Sequence, residues 1–447
     1  MCMQRLEEVN HDVPLIQGLP INHPKPNLLN GTIPPAAIED NTQDILSYKY
    51  ELSDIFIRYG ADYIKKHNVS VDELKVMNAI RECRTFAFGY HIDVCDSCGY
   101  IEALGNSCRN RHCPKCQGDK SKEWVEARVD QLLPAPYYHI VFTLPSKINS
   151  VCLSNKKEIY DLLFKSAAET LKEFGQDPKW VGGEIGFYGI LHSWGQTLIH
   201  HPHIHFIVCG LGLRGKSEWI YPKYKGNFLF PVHGISKVFR GKFIEGLKQA
   251  KAEGELTLGD KLEEEKEFNK WVNRLVSKKW VVYCKKPFSG AEEVIKYVSR
   301  YTHRVAISNS RIISIEDGKV RFSYKNYKKQ VKEYNEYWEE MELEAEEFIS
   351  RFLKHVLPGG YHRIRYYGYL ANGKKEKVQE ALKYISIEAT EPKEDIIPNK
   401  EGMKCPKCKE GIMEPVLVIS SSGYIIKYKT GTFNQRNIKQ IDINNSS

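Results

Sequence analysis

Two histidines separated by one apolar residue, His203-Ile204-His205, have the type and spacing of a metal-binding pair. On a β-strand successive side chains point to opposite faces, so both imidazoles leave one face while Ile204 enters the core. Two imidazoles fixed on a sheet are good ligands for a divalent cation with open coordination positions. The apolar run 206–208 that follows is typical of a buried central strand. The alternative is a histidine-rich surface turn that binds no metal.

A third metal ligand is expected from the neighbouring strand. Gln196 lies seven residues before His203, across a turn, and His192 and His200 are the alternatives. We favour Gln196, because an amide oxygen keeps the site hard enough for Mg²⁺ or Mn²⁺.

Two tyrosines four residues apart, Tyr297 and Tyr301, lie in a stretch with helical character. Residues four apart share a helix face, so both phenols can approach one site as nucleophiles. Lys296, Arg300 and Arg304 form a basic stripe on the same helix, about 100° around the helix axis from the tyrosines. There they could bind DNA phosphates. Taken alone, two tyrosines on a helix are usually core residues. The histidine pair and the basic stripe favour the catalytic interpretation.

Clustered cysteines give the clearest metal signal. Cys95-x2-Cys98 is followed after 14 residues by Cys113-x2-Cys116, so that two pairs of thiolates can bind one zinc ion. The segment holds three more potential ligands: Cys108, His112 and His91. The alternatives to a single ion are therefore a second zinc ion or an arrangement in which ions share ligands. Four closed ligands leave no position for substrate, so we expect structural zinc. The alternative is a set of buried cysteines without metal.

Another cysteine pair, Cys405-x2-Cys408, lies near the C-terminus. No second pair follows it, so a complete metal site would need ligands from elsewhere in the chain. The sequence does not decide between metal binding by this pair and two cysteines that bind no metal.

The elements that must position these residues follow from the pattern of apolar residues. Strands at 138–144, 185–194 and 203–210, with a helix at 156–174 after the first, predict an antiparallel sheet backed by helices. The fold class is therefore α+β. Further helices are predicted at 45–80, 120–133, 236–275 and 291–301, and an acidic helix at 336–347. Extended segments are predicted at 280–286 and 311–332.

Length and composition are compatible with two to four domains. The chain has 447 residues, of which 42% are apolar, enough to build real cores. The expected division is a poorly ordered lead-in at 1–40, a helical and zinc-binding domain at 41–133 with its zinc cluster at 91–116, a nuclease-like domain at 134–310, basic strands, the acidic helix and the cysteine pair at 311–410, and a polar tail at 411–447.

The charge balance fits a polyanionic partner. Lysine and arginine outnumber aspartate and glutamate by 65 to 56, a net charge of +9. Arg109, Arg111 and Lys115 lie between the expected zinc ligands, where they could contact a DNA backbone. No apolar run approaches the roughly 18–20 residues that span a membrane, and no basic-then-apolar leader is seen. We therefore expect a cytoplasmic protein without a membrane partner.

Several blocks in fixed order resemble the two-tyrosine transposases of the insertion-sequence-91 family, which are HUH (histidine–hydrophobic–histidine) nucleases. The resemblance runs from about residue 40 to 410, and the blocks are NSCRNRHCPKC at 106–116, FTLP at 142–145, HSWGQTL at 192–198, HPHIH at 201–205, SKVFRGKF at 236–243, YVSRYTHRVAISN at 297–309, HVLP at 355–358 and RIRYYG at 363–368.

The resemblance implies a metal-binding role for His203 and His205 and a nucleophilic role for Tyr297 and Tyr301. It also implies an antiparallel sheet with the histidines on a central strand and the tyrosines on a nearby helix. The expected activity is transposition of the rolling-circle type, by metal-dependent cleavage and transfer of single DNA strands. The expected partners are single-stranded or hairpin DNA at transposon ends, and target DNA.

Attack by a tyrosine on phosphorus would leave a 5′-phosphotyrosine and a free 3′-hydroxyl. The covalent link conserves the phosphodiester bond energy, so no nucleotide cofactor is expected, in agreement with the absence of a Gly-x4-Gly-Lys-Ser/Thr sequence. A plasmid replication initiator or relaxase would use the same chemistry. A zinc-stabilised DNA-binding protein without catalysis and a simple metal hydrolase are rival interpretations with different chemistry.

Overall fold

The histidine pair lies on the longest strand of the described chain. The computed structural model describes residues 49–117, 133, 135–215, 217–223, 229–284, 304–327, 337–371, 373–374 and 403–428. The strands are β1 (Tyr90–Cys95), β2 (Ile101–Gly105), β3 (Tyr137–Thr143), β4 (Glu184–Trp194), β5 (His200–Arg214), β6 (Glu218–Ile220), β7 (Val282–Cys284), β8 (Ile312–Glu316), β9 (Lys319–Lys325), β10 (Trp338–Glu344), β11 (Ile364–Tyr367), β12 (Met413–Ile419) and β13 (Ile425–Tyr428). The helices are α1 (Leu52–Lys66), α2 (Val71–Arg81), α3 (Asn149–Ser154), α4 (Lys156–Gln176), α5 (Val232–Ala252), α6 (Asp260–Glu263), α7 (Glu265–Val276) and α8 (Ala345–Leu353).

A central antiparallel sheet is built around β5. Its strand order is β11-β4-β5-β3-β7, and β6 pairs with the far end of β5. β4 and β5 form the hairpin predicted from the sequence, and β3 lies on the other side of β5. The predicted fold class, an antiparallel sheet flanked by helices, is confirmed.

The alternation of side chains along β5 separates the two faces of this sheet. Ile204, Phe206 and Val208 point into a core shared with α4 and α5. Phe206 packs edge-on against Phe142 of β3 and Phe187 of β4, with ring centroids 5.7 and 5.5 Å apart. The intervening residues of β5 face the other side of the sheet, where both histidines of the pair lie.

A second core joins segments that are distant in sequence. It contains the buried faces of α1, α2 and α8, the three-stranded sheet β10-β9-β8, and Leu198 from the turn between β4 and β5. Cys83, Cys113 and Cys116 are also part of it. The hairpin that carries the histidines is therefore packed into the core that holds these cysteines.

The third sheet joins the first and last described parts of the chain. Its order is β13-β12-β1-β2, and β1 pairs with β12 from Tyr90 opposite Ile419 to Cys95 opposite Met413. This pairing brings the C-terminal cysteine pair to the hairpin formed by β1 and β2.

The predicted acidic helix at 336–347 is wrong over most of its length. Residues Trp338–Glu344 form β10, and the helix begins only at Ala345. Alternation explains the difference, because Met341 and Leu343 pack against the second core while glutamates alternate with them. Lys319 and Arg321 of β9 pair with Glu342 and Glu340 at 3.1 and 3.8 Å. This cross-strand charge pairing outweighs the helix preference of glutamate.

Two of the predicted helices cannot be compared with the structure. Residues 118–132 and 285–303, which include nearly all of the predicted helices at 120–133 and 291–301, lie outside the described residues. Among the helices that are described, none is long and apolar enough to cross a membrane.

Gly368 ends β11 at a point where a side chain cannot be accommodated. Its φ is +61°, and a Cβ would collide with the carbonyl oxygen of Ile185 in β4, whereas Gly360 has a φ of +70° and open space around it. We expect Gly360→Ala to cost about 1 kcal/mol from the left-handed backbone alone. Gly368→Ala should cost about 3 kcal/mol or more, because β11 must also move. Urea denaturation, monitored by tryptophan fluorescence, measures the free energy of unfolding of both variants. Equal losses of this free energy would contradict the close packing of β11.

Candidate functional site

Three histidines converge on the face of the central sheet that lies opposite to α4 and α5. His203 and His205 lie two residues apart on β5, and β4 places His192 directly opposite His203. Their ring centroids are 4.7, 4.8 and 5.6 Å apart, and one nitrogen of each ring lies within 4.8 Å of those of the others. Trp194 stacks on His192 at 4.6 Å. Three side chains on two paired strands thus form one rigid set of nitrogen donors.

Hydrogen bonds orient the imidazoles of β5. Nδ1 of His203 lies 2.6 Å from the carbonyl oxygen of His201, so it must carry the proton and leave Nε2 with a free lone pair. Nδ1 of His205 lies 2.8 Å from Nε2 of His139, a buried histidine on β3. Burial lowers the pKa of His203 to about 4 and that of His205 well below its usual value. Both rings are therefore neutral at neutral pH, the form that binds a metal.

The expected third ligand, Gln196, is held elsewhere. It lies in the turn between β4 and β5, where its carbonyl oxygen accepts a hydrogen bond from Arg311 at 2.5 Å. Its side-chain oxygen accepts from the backbone N–H of Lys325 at 3.4 Å. His192 takes the position expected for Gln196, because β5 begins at His200 rather than at 203 and this register sets His192 opposite His203.

The same turn is secured by three further contacts. Leu198 is fully buried in the second core although its φ is +59°. Arg351 donates to the carbonyl of Thr197 at 3.2 Å, and Nε2 of His355 donates to the carbonyl of Leu198 at 3.1 Å. His200, the remaining candidate for the third ligand, is buried and contacts the Tyr160 hydroxyl of α4 at 3.0 Å. The sequence signal for this turn is the block from 192 to 198, whose members mostly position the hairpin.

The two predicted nucleophiles, Tyr297 and Tyr301, lie outside the described residues, as do Lys296 and Arg300. Arg304, the third member of the predicted basic stripe, is described and exposed. Its positive charge contributes to the low pKa of both His203 and His205, so it lies near them. Of the predicted basic stripe, the structure therefore describes one member, and it lies near the histidine cluster.

Four cysteines form a first cluster in the second core. The sulfur atoms of Cys83, Cys108, Cys113 and Cys116 all lie within 4.8 Å of one another, and those of Cys108 and Cys116 are 3.7 Å apart. Zinc–sulfur bonds of about 2.3 Å give a tetrahedron with edges of about 3.8 Å, so the set fits one zinc ion. Cys83 was not predicted as a ligand, because it stands 25 residues before Cys108 and has no cysteine partner at close spacing.

Cys95 and Cys98 belong to a different cluster. The expected sharing of one ion by Cys95, Cys98 and the pair 113/116 is wrong, since the first two lie with Cys405 and Cys408. The hairpin of β1 and β2 explains the separation. Cys95 and Cys98 lie at its tip, whereas Cys83 and Cys108 flank its base, and a strand of this length rises about 16 Å.

The other predicted residues of this segment have separate roles. His112 is buried outside the cluster, and its Nε2 lies 3.5 Å from the backbone N–H of Leu357. His91 contacts the side chain of Asn106 at 3.1 Å. Arg111 donates to the carbonyl of Tyr361 and is half-buried, so it is engaged inside the protein. Arg109 is exposed and can contact a partner.

Comparison with known proteins identifies the family. A profile described as "Putative transposase" matches residues 186–377, and one described as "Transposase zinc-binding domain" matches residues 55–144. The putative transposase y4qJ of Sinorhizobium fredii is 42% identical over 380 residues, which cover 81% of this chain and 94% of that protein. The chain belongs to the insertion-sequence-91 family of transposases.

A second relative of this transposase is more distant. The transposase for insertion sequence element IS801 of Pseudomonas savastanoi pv. phaseolicola is 26% identical over 321 residues, 70% of this chain and 74% of that protein. No solved structure matches the chain. The first family profile spans all three histidines of the cluster and both tyrosines. The zinc-binding profile spans the whole first cysteine cluster but not Cys405 and Cys408.

The fourth ligand of the first cluster can be tested by zinc content. We expect Cys83→Ser to remove one zinc ion per chain, because three thiolates hold zinc much less firmly than four. His112→Gln, which changes a buried neighbour outside the cluster, should keep the full amount. Elemental analysis of the purified full chain measures both, and zinc loss in the histidine variant alone would reverse the assignment.

The histidine cluster can be tested by metal titration. We expect His192→Ala to weaken Mn²⁺ binding at least tenfold, since loss of a ligand exceeds the usual effect of losing a supporting residue. Gln196→Ala should change the affinity less than about twofold and lower stability instead, because the Lys325 N–H loses its acceptor. Calorimetric titration of the full chain distinguishes the two, and the opposite ranking would restore Gln196 as the ligand.

Proposed function

We propose that this transposase cuts and rejoins single DNA strands through 5′-phosphotyrosine links at the histidine cluster, in rolling-circle transposition. The observation that carries the proposal is the convergence of His192, His203 and His205 on one face of the central sheet, near Arg304. Three imidazoles whose nitrogen atoms all lie within 4.8 Å of one another form a set that a single cation can bind.

The three imidazoles would hold a divalent cation through one nitrogen each. Bound there, the cation would polarise a phosphate oxygen and orient the scissile group for in-line attack. Because the third donor is an imidazole rather than an amide oxygen, the set favours Mn²⁺ or a softer ion over Mg²⁺. His139 is a positioning residue in this scheme, since its hydrogen bond fixes the ring of His205.

The nucleophile would be the phenol oxygen of Tyr297 or Tyr301. It would form a bond to phosphorus while the bond from phosphorus to the 3′-oxygen breaks. The phenol proton would pass to that oxygen, directly or through solvent, and leave a free 3′-hydroxyl on the DNA. The position of Tyr301 in the sequence, three residues before Arg304, supports this assignment, because Arg304 lies near the cluster. Two tyrosines would allow two cut strands to be held at once.

The surface around the cluster suits a single DNA strand. Arg304 is exposed beside the histidines and can pair with a phosphate. On the edge strand β7, Tyr283 is exposed and lies in register with Val141, which is itself opposite His205. An exposed ring on this face offers a stacking platform for an unpaired base. Double-stranded DNA would not bring a backbone phosphate and a free base to one face so readily.

Family membership favours transposition over plasmid replication or conjugation, which would use the same chemistry. Transposon ends and target DNA are the expected substrates, and the cytoplasm is where they lie. The histidine cluster has no role in a DNA-binding protein without catalysis, so that alternative is not favoured.

A covalent adduct is the decisive readout. We expect end-labelled single-stranded DNA carrying the element's terminal sequences to migrate with the full chain on a denaturing protein gel in the presence of Mn²⁺. The Tyr297→Phe/Tyr301→Phe variant and EDTA should abolish the label. Tyr424→Phe, at an exposed tyrosine of the third sheet, is the matched control and should keep it.

Each remaining outcome of this experiment has a distinct meaning. Cleavage without an adduct would mean hydrolysis and would remove the tyrosines from the mechanism. Full adduct formation in the double tyrosine variant would place the nucleophile elsewhere. DNA binding with neither cleavage nor adduct would favour a DNA-binding protein.

A further inference from the structure

We propose that Cys95, Cys98, Cys405 and Cys408 bind a second zinc ion, which fastens the C-terminal strands to the hairpin of β1 and β2. The zinc-binding family profile ends at residue 144, so two of these four ligands lie outside it. This site is separate from the first cysteine cluster and from the histidine cluster.

The sulfur positions fit one tetrahedral ion. Cys95 lies 3.7 Å from Cys408, and Cys98 lies 3.7 Å from Cys405, close to the edge of about 3.8 Å expected for zinc bound by four sulfurs. A disulfide would need about 2.05 Å. The close contacts are both between the two pairs, so each pair contributes half of the tetrahedron.

Backbone amides support thiolates in both pairs. The N–H of Cys98 donates to the sulfur of Cys95 at 3.4 Å, and the N–H of Gly411 donates to the sulfur of Cys408 at 3.3 Å. Hydrogen bonds to the charged form favour thiolate over thiol. A Cβ at Gly411 would collide with the sulfur of Cys95, so only glycine permits this approach.

Local charge also fits a zinc ion bound by four thiolates, which has a net charge of −2. Three lysines surround the C-terminal pair and offset it: Lys404, Lys407 and Lys409. Asp96 is engaged by the neighbouring hairpin, where it accepts from the N–H of Ile412 at 2.8 Å.

Apart from the backbone pairing of β1 with β12, the two halves of the third sheet share little buried apolar surface. Its core in the described residues consists of Cys95, Cys405 and Met413, with Tyr100 and Cys408 partly buried beside them. Each half alone is a two-stranded hairpin, which is marginally stable in water, and so small an apolar core adds little when the halves pair. A structural zinc ion supplies the missing stabilisation in small domains of this kind, because its binding free energy becomes folding free energy.

Zinc content of the full chain tests the proposal. All proteins carry His203→Ala, so that zinc at the histidine cluster does not enter the count. We expect two zinc ions per chain in this background and one after adding Cys405→Ser/Cys408→Ser. The matched control, Cys284→Ser on β7, should keep two. One zinc ion in the background protein, or two in the double cysteine variant, would overturn the proposal.

A second measurement needs no cysteine variant and covers the case in which the double variant fails to fold. Cys98 is exposed, so as a free thiol it should react rapidly with iodoacetamide. We expect mass spectrometry to find Cys98, Cys405 and Cys408 protected in the native wild-type chain and alkylated at least tenfold faster after a zinc chelator is added. Rapid alkylation without chelator, or protection that only a disulfide reductant removes, would overturn the proposal.

Discussion

The alternation of side chains along β5 is the constraint on which the rest of the structure depends. Ile204 and Phe206 must face the helices that cover one side of the central sheet, and this requirement forces His203 and His205 to the other side. A slip of one residue would turn both histidines toward the helices and turn Ile204 and Phe206 away from them. The hydrophobic effect thus fixes the register of the hairpin, and the register in turn sets His192 opposite His203.

The turn of that hairpin couples the histidine cluster to the first cysteine cluster. Leu198 is buried in the same core as Cys83 and Cys113, and Arg311 and Arg351 donate to the carbonyl groups of the two residues before it. Anything that loosens the zinc-containing core therefore loosens the end of the hairpin nearest to His192. Zinc would in this way stabilise the geometry of a site that it does not touch.

Local periodicity was enough to predict the sheet, its faces and the histidine pair, because these depend on neighbouring residues. What could not be read from the sequence depends on pairing between distant segments. That His192, and not Gln196, lies beside the histidine pair depends on hairpin register, which shifts with the first residue of β5. The partners of Cys95 depend on β12 crossing back to β1, and the role of Cys83 depends on the hairpin base. The glutamates of β10 led to the wrong prediction of a helix, because their lysine and arginine partners on β9 lie about 20 residues earlier in the sequence.

The ligand set also bears on how strongly the site would attract DNA. Among the described residues, the metal-ligating groups that converge at the cluster are imidazoles alone, with no carboxylate among them. Neutral ligands leave a divalent cation its full charge, whereas each carboxylate would cancel one unit. Arg304 adds a positive charge nearby. A phosphate, already negative, is drawn to such a site before reaction and is stabilised further as charge builds on its oxygens. An acidic metal site would gain Mg²⁺ affinity but would repel the same phosphate, so a neutral ligand set matches an enzyme whose substrate supplies the negative charge.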